Sequence, residues 1–237
     1  MIESNFKANL IYKVEIMKII NKKSEKSLID QFINNLKKDY FRKKKQNKRF
    51  SFVLTGGKSP KKLYRELSKI NIDWNDIDFF WGDERYVSHL SKNSNYKLAM
   101  NKFLKKIKIN KKNIYPIKTQ KSISKCSIEY SKTIKKYFKN KKINFDYCLL
   151  GMGEDGHIAS LFPNSEHLYK KFITRPVIRK DFKRITLSLN IINNSKKILL
   201  WLNNKSKSKT YLKIKKNGRK IPVNNLNKKN TIIYKIH

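Results

Sequence analysis

A histidine and an aspartate lie two residues apart in the glycine-rich stretch Gly151-Met152-Gly153-Glu154-Asp155-Gly156-His157. An imidazole whose tautomer is held by a carboxylate or a backbone group can take a proton from water near neutral pH. His157 is therefore our candidate general base. Gly153 is a candidate substrate contact, because a residue without a side chain lets a ligand approach the backbone. A loop histidine can also be hydrogen-bonded to its neighbours without any catalytic role. The functional interpretation therefore depends on other candidate site residues in the same place.

The segment Thr55-Gly56-Gly57-Lys58-Ser59-Pro60 has the features of an anion-binding turn. It follows an apolar run, and proline suits the first residue of a helix, so the segment is predicted to join a strand to a helix. Backbone amides at such a junction, with a hydroxyl nearby, favour phosphate. A nucleotide P-loop would need a glycine where Phe52 stands, so that motif is excluded. The candidate anion ligands are Gly56, Gly57, Lys58 and Ser59.

Charged and amide side chains follow another apolar run, first as Asp83-Glu84-Arg85 and then as Ser94-Asn95-Tyr96. The second group is predicted to open a helix, with Ser94 or Asn95 as its cap. Taken alone, the charged triplet could equally be a surface ion-pair cluster. Because it follows a strand as the other two segments do, we include it in the site. The candidate substrate contacts are Asp83, Glu84 and Asn95, and the candidate catalytic cation is Arg85.

Short apolar runs alternate with helical segments along the chain, which predicts a Rossmann-like α/β fold with a mostly parallel sheet flanked by helices. The predicted strands are Arg49 to Thr55, Ile77 to Trp81, Phe145 to Leu150, Arg184 to Leu189, Lys197 to Leu202 and Thr231 to Ile236. Helical spacing of apolar residues predicts helices over 28–36, 63–67 and 123–138. Loops at the carboxyl ends of parallel strands meet in one crevice, so the three segments are expected to share a site. Residues 1–237 are predicted to form a single domain.

The composition is strongly basic, with 57 Lys or Arg against 17 Asp or Glu and a formal net charge of +40. Since 39% of the residues are hydrophobic, a chain disordered throughout is excluded. Most of the basic residues are lysines, which lack the planar fork that makes arginine suited to bidentate contacts with phosphates and bases. We therefore predict no specific nucleic-acid partner. A basic nucleic-acid-binding protein without enzymatic activity remains the competing class of function.

The two cysteines, Cys126 and Cys148, show neither CxxC nor metal-ligand spacing and are predicted to be reduced thiols. No apolar stretch approaches the roughly 18 residues that a membrane span requires. The amino terminus mixes Lys and Glu with its hydrophobic residues and does not form the core of a signal peptide. These features predict a cytoplasmic protein without a membrane partner, and no pattern indicates an oligomeric state.

Four segments, in order and spacing, resemble the bacterial 6-phosphogluconolactonase family. They read TGGKSP, IDFFWGDERYV followed by SNYK, FDYCLLGMGEDGHIASLFPN, and RITLSLNIIN, and the similarity runs from about Arg49 to Lys209. The resemblance implies a hydrolase without metal or other cofactor that opens the sugar-phosphate lactone 6-phospho-D-glucono-1,5-lactone to 6-phosphogluconate. That reaction is the second step of the oxidative pentose phosphate pathway. It also implies an α/β fold related to sugar-phosphate isomerases and deaminases.

The same resemblance implies that Asp155 orients the imidazole of His157 and that a lysine near the carboxyl terminus faces the site. Lys207 fits that lysine best, but Lys205 and Lys209 flank it, and which cation faces the phosphate is left open. Ser160 lacks the context of a nucleophile elbow and is expected to cap a helix start or to pack.

The nearest alternative activity is that of glucosamine-6-phosphate deaminase. The corresponding loop of that enzyme continues after DGHIA into FNEP, whereas the continuation here is SLFP. The glutamate expected to assist the deaminase reaction is therefore missing.

Overall fold

A parallel sheet of seven strands forms the centre of the computed structural model, which describes residues 17–165, 168, 170–218 and 220–237. With strands numbered in chain order, their spatial order is β1 (Lys18–Lys22), β10 (Thr231–Ile236), β9 (Lys197–Leu202), β6 (Tyr147–Leu150), β2 (Phe50–Leu54), β3 (Ile77–Trp81) and β5 (Ile114–Tyr115). Every neighbouring pair in this sheet is parallel. The predicted α/β fold with a mostly parallel sheet is confirmed. The prediction about the amino terminus concerns residues 1–16, which lie outside the described residues.

Three of the strands that the sequence identified are buried on both faces. All residues of β2, β3 and β6 are buried, as a strand covered by helices on both sides requires. β1 and β5 were not predicted. β1 is a largely exposed edge strand with polar residues, and β5 has only two residues, so neither has a local apolar pattern. Their pairing with β10 and β3 makes them strands.

A second, antiparallel sheet lies beside the first in the described part of the chain. Its order is β4 (Asp83–Arg85), β8 (Arg184–Leu187) and β7 (Thr174–Val177). The predicted strand from Arg184 to Leu189 therefore forms, but it lies outside the parallel sheet and ends two residues early. Ser188 ends it, because its side chain accepts a hydrogen bond from the amide of Ile191 and so caps the next helix.

Helices cover the parallel sheet. They are α1 (Glu25–Lys44), α2 (Lys61–Leu67), α3 (Asn95–Lys102), α4 (Ile123–Tyr137), α5 (Leu189–Asn193) and α6 (Lys205–Ile214). Short 3-10 helices occur at Trp74–Asp76, Leu104–Lys106, Lys111–Asn113 and Pro222–Asn225. The helices predicted from apolar spacing correspond to α1, α2 and α4. Pro60 is the residue just before α2 and not its first residue, whereas Ser94 caps α3 as predicted.

An aromatic cluster fixes α1 against the sheet. The ring of Phe32 lies 6.4 Å from that of Phe52, 5.7 Å from Trp201 and 5.4 Å from Tyr234. Such ring pairs contribute about 0.5–1.5 kcal/mol each beyond the area that they bury. This rigid packing holds the strands in place, and with them the loops that follow their carboxyl ends. In the described residues no helix is long and apolar enough to cross a lipid bilayer.

Candidate active site

The turn after β2 exposes its backbone to a cleft. Gly57 has a φ of +81°, a conformation that strongly favours glycine, and a Cβ there would meet nothing within 4 Å. At Gly56 a Cβ would lie only 1.8 Å from Oδ1 of Asn95, so no larger residue fits. The phenol of Tyr64 bonds to both the amide and the carbonyl of Thr55 and holds the base of the turn. Glycine is therefore required at the two positions for different reasons: at Gly57 by the backbone conformation, and at Gly56 by the close approach of Asn95.

Lys207 brings a positive charge to this turn from α6. Its Nζ donates to Oγ of Ser59 at 2.6 Å and to the carbonyl of Met152 at 3.0 Å. Burial lowers the pKa of Lys207, and the nearby Glu154 opposes that shift. Lys207 lines the cleft, whereas Lys205 and Lys209 do not. The structure thus places at the turn the lysine that best matched the sequence pattern.

The side chains of β4 alternate between the cleft and the protein interior. Asp83 and Arg85 line the cleft, whereas Glu84 points the other way, as a strand requires of its middle residue. The carboxylate of Glu84 accepts from the amides of Asn95 and Tyr96, each at 2.7 Å, and caps α3. Burial raises the pKa of Glu84 to about 7, against the backbone hydrogen bonds that favour its charged form. Glu84 therefore positions α3 and does not face the cleft, unlike the other two residues of the triplet.

Asp83 is held by two side chains. It accepts from Oγ of Ser160 at 2.6 Å and from Nδ2 of Asn95 at 3.2 Å. No helix begins at Ser160, so the expectation of helix capping there is wrong. Ser160 is almost fully buried and packs against Asp83, which agrees with the alternative expectation of packing. A buried carboxylate with two donors on it has a fixed orientation toward a ligand.

Asp155 and His157 form a hydrogen-bonded pair. Nδ1 of His157 lies 2.6 Å from Oδ1 of Asp155, which also accepts from the His157 amide at 3.1 Å. These hydrogen bonds lower the pKa of Asp155, because they favour the ionised carboxylate. An ionised carboxylate can only accept, so the ring proton lies on Nδ1 and Nε2 is left as the acceptor. This is the arrangement that a general base needs.

Glycine and an aromatic ring bound the imidazole on two sides. A Cβ on Gly153 would lie 2.1 Å from the ring of His157, so a side chain there would displace the histidine. The ring of Phe162 packs on His157 with centroids 4.6 Å apart. Both contacts restrict the imidazole to one orientation. Gly153 thus has a positioning role in addition to its place in the wall of the cleft.

The cleft is small, with a volume of about 120 Å³, and it is open to solvent on one side. It brings together every candidate from the sequence except Asp155, which is hydrogen-bonded to His157, and Glu84, which caps α3. The lining residues that sequence reasoning missed are Thr55, Gly151, Met152, Ala159 and Arg184. Only Arg184 among them is charged. It begins a strand whose partner is β4, and that pairing is not visible in the sequence.

Among the described residues, no group of three or more His, Cys, Asp or Glu side chains is arranged to hold a metal ion. Cys126 and Cys148 are buried free thiols.

Comparisons with known proteins give a consistent result. The sequence profile of a family described as "Glucosamine-6-phosphate isomerases/6-phosphogluconolactonase" matches residues 23–234. A 6-phosphogluconolactonase from Nostoc sp. is 35% identical over 160 residues, which are 65% of this chain and 67% of the relative. The crystal structure of 6-phosphogluconolactonase from Thermotoga maritima superposes with a TM-score of 0.82 at 26% identity, covering 92% of this chain and 98% of that one.

A monomeric glucosamine-6-phosphate deaminase shares the fold, with a TM-score of 0.78 at 20% identity over 93% of this chain and 97% of the deaminase. The fold therefore does not separate the two activities. The family profile spans nearly the whole described chain, from just before α1 into β10. The chain belongs to the glucosamine-6-phosphate isomerase/6-phosphogluconolactonase family.

Proposed function

We propose that this protein hydrolyses 6-phospho-D-glucono-1,5-lactone to 6-phospho-D-gluconate, the second step of the oxidative pentose phosphate pathway. The observation that carries the proposal is the His157–Asp155 pair, which opens on the same cleft as the Gly56–Ser59 turn and Lys207. A base and an anion site that line one cleft suit a phosphorylated ester. The activity of the lactonase relatives agrees with this assignment.

The reaction needs a water nucleophile, a base, and charge to stabilise the intermediate. The water oxygen adds to C1 while Nε2 of His157 takes the proton that water releases. The tetrahedral oxyanion then collapses, the bond between C1 and the ring oxygen breaks, and the imidazolium returns the proton to that oxygen. The ring oxygen becomes the hydroxyl on C5, and the new carboxylic acid ionises in water. Asp155 keeps the imidazole in the required tautomer and stabilises its cationic form.

The phosphate is bound by the turn after β2. In the described part of the chain no acceptor lies within hydrogen-bond distance of the amides of Gly57, Lys58 and Ser59, so they remain able to bind oxygen atoms of a ligand. Two donors of Lys207 already point to protein acceptors, which fixes its ammonium group beside Ser59. Charge-assisted hydrogen bonds of this kind are about twice as strong as neutral ones. Arg85 and Lys58 add positive charge to the cleft.

The residue beside the base favours the lactonase over the deaminase. In the deaminase pattern FNEP the glutamate would fall at Phe162, and here that ring packs against His157. A phenyl ring cannot transfer a proton, so the chain lacks the acid–base group expected of a deaminase at this position.

We also propose a cytoplasmic site of action without a specific nucleic-acid partner. Both cysteines are unpaired thiols, which suits a reducing compartment. A phosphorylated sugar carries charge that keeps it from crossing a membrane, so the enzyme must meet its substrate where that substrate is made.

The proposal is tested by mixing purified protein with freshly prepared 6-phosphogluconolactone and measuring the rate of hydrolysis. The spontaneous rate is subtracted. We expect acceleration that needs no added metal and is unchanged by EDTA. Glucosamine 6-phosphate serves as the second substrate and should release no ammonia. A rate equal to the spontaneous one, or a rate abolished by EDTA, would contradict the proposal.

A further inference from the structure

Two arginines stand opposite each other on neighbouring strands beside the cleft. Arg85 of β4 and Arg184 of β8 are direct partners in the antiparallel pairing, and both line the cleft. Only 6% of the surface of Arg184 is exposed. Like charges directly opposite each other destabilise a sheet, and burial strengthens their repulsion. Two cations in this position therefore need a nearby negative charge to offset their repulsion.

The described protein groups supply that counter-charge only in part. Arg184 donates through Nη2 to Asp181, whose side chain is 54% exposed, and Arg85 donates through Nη1 to the carbonyl of Asn93 at 2.8 Å. Asp83 also attracts Arg184, but its carboxylate already accepts from two other side chains. Burial lowers the pKa of Arg184, and Arg85 adds to that effect, yet a guanidinium stays charged in proteins.

Both arginines also keep a buried donor free. Nε of Arg85 and Nε of Arg184 are shielded from solvent and have no acceptor among the described residues. A buried donor without a partner is unfavourable, because it has lost its hydrogen bond to water. Two such donors on adjacent side chains show that the described protein groups do not fully satisfy this arginine pair.

Aromatic rings hold the two guanidinium groups in place. The guanidinium carbons of Arg85 and Arg184 lie 5.9 Å and 5.7 Å from the ring centroid of Phe182. That of Arg184 also lies 5.3 Å from the ring centroid of Phe162. These contacts orient the cations without neutralising them. The arginines are thus positioned before a ligand arrives, which lowers the entropic cost of binding.

We propose that Arg85 and Arg184 form a two-guanidinium clamp that binds an oxyanion group of the ligand, with Phe182 positioning both side chains. The identity of that ligand rests on the proposed lactonase function. Two of its groups offer oxygen atoms that match a guanidinium fork: the phosphoryl group on C6 and the carboxylate formed at C1. Arg184 is then a substrate-binding residue in addition to those that the sequence indicated.

Calorimetric binding of three anions tests the clamp and separates the two groups. The probes are 6-phosphogluconate, inorganic phosphate and gluconate, and the proteins are the wild type, Arg184→Gln, Arg184→Lys and the control Arg65→Gln. Arg65 is exposed on α2 and does not line the cleft, so its variant removes the same charge elsewhere. We expect Arg184→Gln to weaken 6-phosphogluconate binding about tenfold or more, Arg184→Lys to weaken it less, and the control to bind as the wild type does.

The simple anions identify the bound group. If the clamp holds the phosphoryl group, Arg184→Gln weakens phosphate and leaves gluconate unchanged, whereas a clamp for the carboxylate gives the reverse. Wild-type affinity of Arg184→Gln for all three probes would overturn the clamp. Should Arg184→Gln not fold, wild-type affinity of Arg184→Lys for all three would overturn it equally.

Two further readouts separate a binding role from a structural one and from failure of the proposed function. Relief of repulsion should leave the melting temperature of unliganded Arg184→Gln equal to the wild-type value or higher, whereas a purely structural arginine would lower it. If the wild type binds anions through Arg184 but does not open the lactone, the proposed function fails and the clamp stands. If the wild type opens the lactone and Arg184→Gln does so with equal KM and kcat, only the clamp fails.

Discussion

Asp155 determines which nitrogen of His157 is free to act as a base. The 2.6 Å contact directs Nδ1 toward the carboxylate, and Phe162 and Gly153 keep the ring from turning. Because the hydrogen bond lowers the pKa of Asp155, this carboxylate stays ionised in mildly acidic solution. Burial raises the pKa of Glu84 to about 7, so protonation of Glu84 is a second source of activity loss on the acid side, and a variant of His157 is needed to separate the two groups.

Replacing His157 should lower the rate of hydrolysis and abolish its decrease at low pH. His157→Asn is expected to lower kcat about a hundredfold or more, the usual contribution of a general base, while 6-phosphogluconate still binds. In the wild type kcat/KM should fall as the pH decreases, and the variant should lose that decrease. The measurement is turnover against pH, corrected for spontaneous opening of the lactone.

His89→Asn is the matched control, because His89 packs on Tyr96 and contacts the carbonyl of Ile117 outside the cleft. It should retain the wild-type pH profile. If His157→Asn keeps most of its activity with an unchanged profile, another group is the base.

At the scale of elements, the turn between β2 and α2 combines a strained backbone with access to the cleft. Gly57→Val should cost about 1–2 kcal/mol of stability, since a branched residue is forced to a positive φ. It should also raise KM for the phosphorylated lactone about tenfold or more, because the new side chain stands where phosphate approaches. Hydrolysis of unphosphorylated gluconolactone should change far less.

Gly218→Val provides the comparison for this prediction. Gly218 has a φ of +79°, a Cβ there would meet nothing within 4 Å, and the residue lies outside the cleft. Its variant should lose stability by a similar amount and keep wild-type kinetics. Equal effects of the two substitutions on KM would show that strain alone, and not blocked phosphate access, is responsible.

At the scale of the whole molecule, the charge of +40 predicts binding to polyanions that has nothing to do with the reaction. Lysines that neutralise phosphates release counterions, so affinity for DNA or RNA should be weak and fall steeply with salt. Titrations at two salt concentrations, with two unrelated sequences of equal length, measure this. Tight binding of one sequence at physiological salt would revive the nucleic-acid-binding alternative.

Local patterns were sufficient for the five inner strands of the parallel sheet and for the three loops of the cleft. β6 is a continuous apolar run, and β2 is one except for Ser51. A glycine pair or a charged triplet after such a run marks the carboxyl end of a strand. Because parallel strands end at the same edge, their loops meet without further information. Residue types and spacing therefore predicted that the candidate base, the candidate anion turn and Arg85 line one cleft, as they do.

Pairings between distant segments decided the rest. β8 reads as an ordinary apolar strand, and only its antiparallel pairing with β4, about a hundred residues earlier, brings Arg184 opposite Arg85. The same short strand turns Glu84 away from the cleft, and the position of α6 selects Lys207 among neighbouring lysines. Ser160 holds Asp83 only because the two loops touch in the folded chain. Spacing along a chain specifies which face a side chain takes, whereas the partner across that face is set by tertiary packing.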